Sequence, residues 1–248
     1  MGAVTVITSG KGGVGKSTVC AGLGTALARR GKRVLLVDGD AGLRCLDQML
    51  GVGEAVLYDI SDVVAGNCEP IRAIYPCEAV PGLFLLPAPA REDKTVAPAL
   101  MKRLVPILSQ YYDHVLIDCP AGIGKGFESC IAAAGRALVV TTADPVCLRD
   151  CDRVRGLLGK AGISSQRLII NRFSYSGFFK MDLYSDLDNV IDSAGIRLIA
   201  VIPEDPQLAA AAARAVPFPQ KSPGAKALNR LAARLEGEQV PLASLKKL

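Results

Sequence analysis

The chain has 248 residues, of which 50% are apolar, with no Trp and a formal net charge of +5. A core of Val, Ile, Leu and Ala suits helices packed on a parallel sheet and argues against an aromatic-rich sandwich, while so mild a charge singles out neither a nucleic-acid nor a membrane partner. Eight cysteines without a CxxC pair, beside the single His114, exclude the ligand spacings of structural zinc. In chain order, Val4 to Thr8 reads as a buried strand, and Lys16 to Arg30 as a helix stopped by Gly31. Arg33 to Val37, Leu83 to Leu86 and His114 to Ile117 are further strands. So are Ala137 to Thr142, Leu168 to Asn171 and Leu198 to Ile202. Helices are expected over Ala99 to Gln110, Lys125 to Ala134, Cys147 to Lys160 and Asp182 to Asp192, with Pro106 expected to kink or split the first. Alternating strands and helices predict one α/β domain, a mostly parallel sheet with helices on both faces.

Between the first strand and the first helix stands Gly10-Lys11-Gly12-Gly13-Val14-Gly15-Lys16-Ser17-Thr18. It satisfies G-x-x-x-x-G-K-[ST] in the strand–loop–helix setting that a P-loop requires. Glycines allow the backbone to fold round a phosphate, and its amides with the helix N-terminus make an anion cradle. Lys16 is expected on the β- and γ-phosphates of ATP, and the Ser17 hydroxyl on Mg²⁺. The second strand runs into Asp38-Gly39-Asp40, at the sheet edge where nucleotides bind. Asp38 and Asp40 are candidates for ordering the attacking water, and Asp40 also for the water shell of the metal. The strand ending in Asp118 has a Walker B arrangement, with Asp118 as an indirect Mg²⁺ ligand. In Cys119-Pro120-Ala121-Gly122, the Gly122 amide is a candidate sensor of the γ-phosphate.

These segments resemble the MinD family of MinD/ParA deviant Walker A ATPases. The resemblance is carried by KGGVGKST, VDGDAGLRCLD, LYDISDVVAGN, DCPAGI, RLIINRF and LIAVIPEDP, from about Thr5 to Glu236. It implies that Lys11 reaches the phosphates held by a second subunit in an ATP-bound homodimer. It implies that Asn171, Arg172 and the loop Pro203, Glu204 and Asp205 border the adenine. It also implies a cycle in which the dimer binds an anionic membrane surface, a MinE-like activator stimulates hydrolysis, and a MinC-like effector is recruited. The sequence departs from the family at GKGF after the second switch, and in a short tail without Phe or Trp. The expected division is an ATPase domain over 1–237 and a tail over 238–248, in which Leu242, Leu245 and Leu248 share a helical face beside Lys246 and Lys247.

MGAVTVITSG lacks the pattern of a secretory signal, and no apolar run approaches the roughly 18 residues of a spanning helix. The expectation is a cytoplasmic protein with free thiols, able to sit peripherally on the inner face of the cell membrane. Competing readings are a ParA-like ATPase gripping DNA through Arg153, Arg155, Lys160, Arg214, Lys221 and Lys226, and a relative controlling flagellar number. An iron–sulfur relative would need cluster cysteines at positions that are not cysteine here.

Overall fold

The computed structural model describes residues 1–181 and 184–245. The chain runs β1 (Ala3–Thr8), α1 (Lys16–Ala28), β2 (Val34–Asp38), α2 (Cys45–Met49), α3 (Ile60–Ala65), β3 (Tyr75–Pro76) and β4 (Leu83–Leu86). It continues through α4 (Pro98–Leu108), β5 (His114–Asp118), α5 (Lys125–Ile131), β6 (Arg136–Thr141), α6 (Pro145–Lys160) and β7 (Ser165–Phe173). The rest is α7 (Tyr175–Met181), α8 (Leu187–Ala194), β8 (Leu198–Pro203), α9 (Pro206–Ala213) and α10 (Pro223–Leu235). The sheet order is β3-β4-β2-β5-β1-β6-β7-β8. Every pairing is parallel except that of β3 with β4.

Strand residues alternate between two cores, as the pleat requires. Leu35, Val37, Val115 and Ile117 join the core under α4, α5, α6 and α8. Val34, Leu36, Leu116 and Ile7 join the one under α1, α9 and α10. Strands buried on both sides read as unbroken apolar runs, which is why seven of them were legible. The two-residue β3 was not, since a run that short has no period.

α1 is buried almost all round, because it lies between the sheet and α10. Its glycines permit that approach. A Cβ on Gly24 would lie 2.7 Å from Leu36 Cδ2, and one on Gly22 would overlap Leu228 of α10. α10 lies outside the helices expected from the sequence, although Ser222 caps it, Pro223 opens it, and Ala227, Leu228, Leu231 and Ala232 make its buried stripe. Pro106 does not split α4. It falls in the last turn, two residues before Leu108, so the bond it forfeits and the ring it inserts disturb only the end of the helix, and Ser109 Oγ donates to its carbonyl at 2.8 Å. The helix expected over Asp182 to Asp192 is α8, which begins at Leu187 behind the cap Asp186; Asp182 lies outside the described residues. All eight cysteines are free thiols.

The tail turns at Gly237 (φ 88°) and is pinned from there: Arg30 pairs with Glu238, and Arg234 Nε donates to the Val240 carbonyl at 2.8 Å. Leu245 packs against the core on the face of α4, α5, α6 and α8, so the tail is not a loose end up to that point. Lys246, Lys247 and Leu248 of the expected amphipathic face lie outside the described residues.

At the foot of the sheet, His114 is buried and bonds Glu236 at 2.6 Å, with Arg136 and Lys32 close by. Burial holds its imidazole below the ordinary value, against the opposing pull of Glu236. The native state therefore binds fewer protons than the unfolded chain as pH falls below about 6.5, and stability is lost in that direction. His114→Gln keeps a donor for Glu236 and removes the titration. Its urea midpoint should fall less than that of the wild type between pH 7 and pH 5.5. Equal falls would show that His114 contributes nothing to acid sensitivity.

Candidate functional site

β1 delivers the chain to the loop between Ser9 and Lys16, at the C-terminal edge of the sheet. Gly13 and Gly15 have φ of 78° and 91°, a region open to glycine at little cost. Gly15 has a second constraint, since a Cβ there would run into the Asn171 amide. That amide donates to the Val14 carbonyl at 2.8 Å, from a side chain that is itself buried. Asn171, expected at the adenine, thus braces the phosphate loop with its donor and keeps only its carbonyl oxygen for a base.

Lys16 opens α1 and is 8% exposed. Its charge acts on both Asp40 and Asp118. Asp38 and Asp118 are register partners on β2 and β5, and Ile7 of β1 pairs with Asp118 from the other side. The two switches are sewn together at Gly39, whose N–H donates to the Asp118 carbonyl at 2.9 Å. No other residue fits there, because a Cβ would lie 2.8 Å from that same oxygen.

The three aspartates differ in what they can do. Asp38 accepts from the amides of Asp40 at 2.9 Å and Leu46 at 3.3 Å, so both oxygens are committed to shaping the turn. Burial pushes its carboxyl up to about 6 despite those bonds. Asp118 is raised to about 8, first by burial and then by the Asp38 charge, while Ser17 and Lys16 pull it down. Its Oδ1 is buried without a partner. A deep carboxylate oxygen left unpaired beside a serine hydroxyl and a lysine is costly by itself and is the donor set that a hydrated Mg²⁺ satisfies. Asp40 is half-buried and raised by burial, with Lys16 opposing; its carboxylate is the one left free to face the loop.

The second switch lies against the first loop: a Cβ on Gly12 would sit 3.5 Å from that of Ala121. Gly122 has φ 83°, with open space where a side chain would stand. Lys11 is exposed, and its charge reaches Asp144, which caps α6. α6 also supports the loop directly, for Gly10 lies against the Asp150 backbone. Asp144 and Asp150 were not legible as site residues, because only the fold brings α6 beside the loop.

Beyond Gly15 and Thr18 opens a cavity of about 300 Å³ that Asn171, Arg172, Pro203, Glu204 and Asp205 also line. All five residues expected at the adenine therefore converge. Arg172 holds φ 53°, a strained value for a non-glycine residue. Asp205 is spent on backbone: Oδ1 accepts from Gln207 N at 2.9 Å and Oδ2 from Gly224 N at 2.8 Å, tying α9 to α10. Its carboxylate shapes the pocket rather than reading a base. Leu208 and Ala209 supply an apolar wall that was missed; Asp205-Pro206, a capped helix start, was the available signal.

The six cations of the DNA-gripping reading do not form one patch. Arg153, Arg155 and Lys160 lie on α6, over one core; Arg214, Lys221 and Lys226 lie at or beside α9 and α10, over the opposite face.

Comparison with known proteins agrees with this fold. The family model described as the CobQ/CobB/MinD/ParA nucleotide binding domain matches residues 5–218. The septum site-determining protein MinD of Bacillus subtilis is 41% identical over 252 aligned residues, covering 100% of this chain and 94% of that protein. The MinC:MinD cell division complex of Aquifex aeolicus contains a chain of 37% identity that superposes with a TM-score of 0.89, each chain covered to 98%. The septum site-determining protein MinD of Pyrococcus horikoshii, solved with Mg-ADP, superposes with a TM-score of 0.85 at 33% identity, over 95% of this chain and 96% of that one.

Proposed function

We infer that this chain, which belongs to the MinD branch of the CobQ/CobB/MinD/ParA nucleotide-binding family, is a Mg²⁺-dependent ATPase acting in division-site placement. The observation that carries the site is the orphaned Oδ1 of Asp118 beneath Ser17 and Lys16. Loop amides and Lys16 would hold the triphosphate, and Ser17 with Asp118 would hold the metal. Mg²⁺, when bound, supplies charge neutralisation on the β- and γ-oxygens. Asp40 orients the attacking water, Asp38 fixes the turn that presents it, and the Gly122 amide meets the γ-phosphate. Asn171, Arg172, Pro203 and Glu204 enclose the adenine.

The family resemblance implies the cycle, and the exposed Lys11 is in keeping with it. ATP draws two copies together, and Lys11 of each reaches the phosphates of the other. The dimer recruits a MinC-like effector, for which the Aquifex complex is the support. A MinE-like activator then completes the site and releases the dimer from an anionic membrane face. Residues 1–237 are the ATPase domain, and 238–248 serve as a surface-seeking tail. A DNA-partition role has less support, since its cations are split between two faces of the sheet.

Lys11→Ala separates the lysines. It should bind ATP as a monomer with little loss, because Lys11 is exposed and makes no contact that the fold needs. It should fail to dimerise with ATP, measured by light scattering with ATP against ADP. ATP-dependent dimers in that variant would remove Lys11 from the interface.

A further inference from the structure

The nucleotide residues all lie at the C-terminal ends of the strands. At the opposite end of the molecule is a depression of about 340 Å³ that nothing above employs. Arg155 enters it from α6, Arg167 from the start of β7, and Arg197 from the residue before β8, with Ser164 and Gly195 between them. Arg155 is partly neutralised by Asp152 at 2.6 Å. Among the described residues, no carboxylate pairs with Arg167 or Arg197. Arg167 is half-buried, and its guanidinium is steadied by a 2.8 Å bond to the Gln166 carbonyl. Three arginines lining one depression, one of them held in place, suit phosphate oxygens.

The tail leaves the domain beside this cleft. Arg234 donates to the carbonyls of Ile199 and Val240, which brings residue 240 next to the start of β8, two positions beyond Arg197. From there Leu242 stands 47% exposed. Basic and apolar groups are thus side by side. A bilayer matches that pairing, with phosphate above hydrocarbon; a nucleic-acid duplex offers phosphate without an accessible apolar layer.

We propose that Arg155, Arg167 and Arg197 form a headgroup-binding cleft that docks the domain on an anionic membrane. This deepens the surface-binding step inferred above and rests on it. The cleft supplies the electrostatic part of the attachment, and the exposed Leu242 the apolar part. Two copies in a dimer present two clefts, so a weak single contact becomes effective only in the ATP state.

The test is co-sedimentation of the full chain with vesicles of phosphatidylglycerol and phosphatidylcholine, against phosphatidylcholine alone, with Mg²⁺ and ATP or ADP. The wild type should sediment with the anionic vesicles in ATP. Arg167→Ser/Arg197→Ser should bind them about 30-fold more weakly, at about fivefold per arginine near the surface. Its ATPase rate without vesicles should be unchanged, and Arg167→Lys/Arg197→Lys should retain most of the binding. A serine variant that hydrolyses ATP and sediments like the wild type overturns the cleft and leaves the membrane step standing. A wild type that dimerises with ATP yet ignores anionic vesicles overturns both. If it instead binds duplex DNA and the serine variant does not, the cleft is a nucleic-acid site and the lipid assignment is wrong.

Discussion

Lys16→Ala should lower ATP turnover by about 10²–10³-fold, the usual cost of removing one preorganised donor from a developing anion. The reason lies in how little else neutralises this pocket. Asp38, Asp40 and Asp118 gather at one strand edge, and Lys16 is the buried cation whose charge reaches two of them. Without it, incoming phosphates meet carboxyl groups and no fixed positive charge from the same subunit. Backbone amides alone remain in the cradle, and they hold phosphate without holding it in line for attack. The variant should fold, since Lys16 makes none of the packing contacts that fix α1 to the sheet. Phosphate release in a coupled assay, beside an unchanged thermal midpoint, checks both halves. Turnover within a few-fold of the wild type would remove Lys16 from the site.

Asp40→Ala should behave in the opposite manner. Asp40 is half-buried with its carboxylate uncommitted, whereas Asp38 is tied to two backbone amides. Loss of Asp40 therefore leaves the turn in place. ATP should bind, and dimers should form and persist, while hydrolysis falls by about 10²-fold or more for want of a positioned water. Size-exclusion chromatography with ATP should show a dimer peak that outlasts that of the wild type. A variant that stays monomeric with ATP while hydrolysing at the wild-type rate would contradict the role given to Asp40. Asp38→Ala should differ again, since removing its bonds to Asp40 N and Leu46 N unties the switch itself.

The parts of this site legible in the residue order are those that local pattern encodes. G-x-x-x-x-G-K-[ST] needs no distant partner to be read, and an apolar run ending in Asp118 announces both a buried strand and the edge on which it ends. Parallel pairing then brings Asp38 and Asp118 together, as their register shows. What stayed hidden depends on residues far apart in the chain. The bond from Asn171 to Val14 spans 157 positions. The capture of Asp205 by Gly224 depends on how α9 meets α10, and no periodicity encodes that. The basic residues of α6 and α10 looked like one group until the sheet separated them. α10 is a different case: its cap, proline and apolar stripe were all on view.

Calorimetric titration of ATP in Mg²⁺ and in EDTA, on the wild type and on Lys16→Ala, goes to the centre of the matter. If amides, Lys16 and a metal-bearing Asp118 together hold the triphosphate, the wild type will bind ATP tightly with Mg²⁺ and far more weakly in EDTA, and Lys16→Ala will bind weakly in both. Equal heats with and without Mg²⁺, or a Lys16→Ala titration that overlays the wild type, would contradict it.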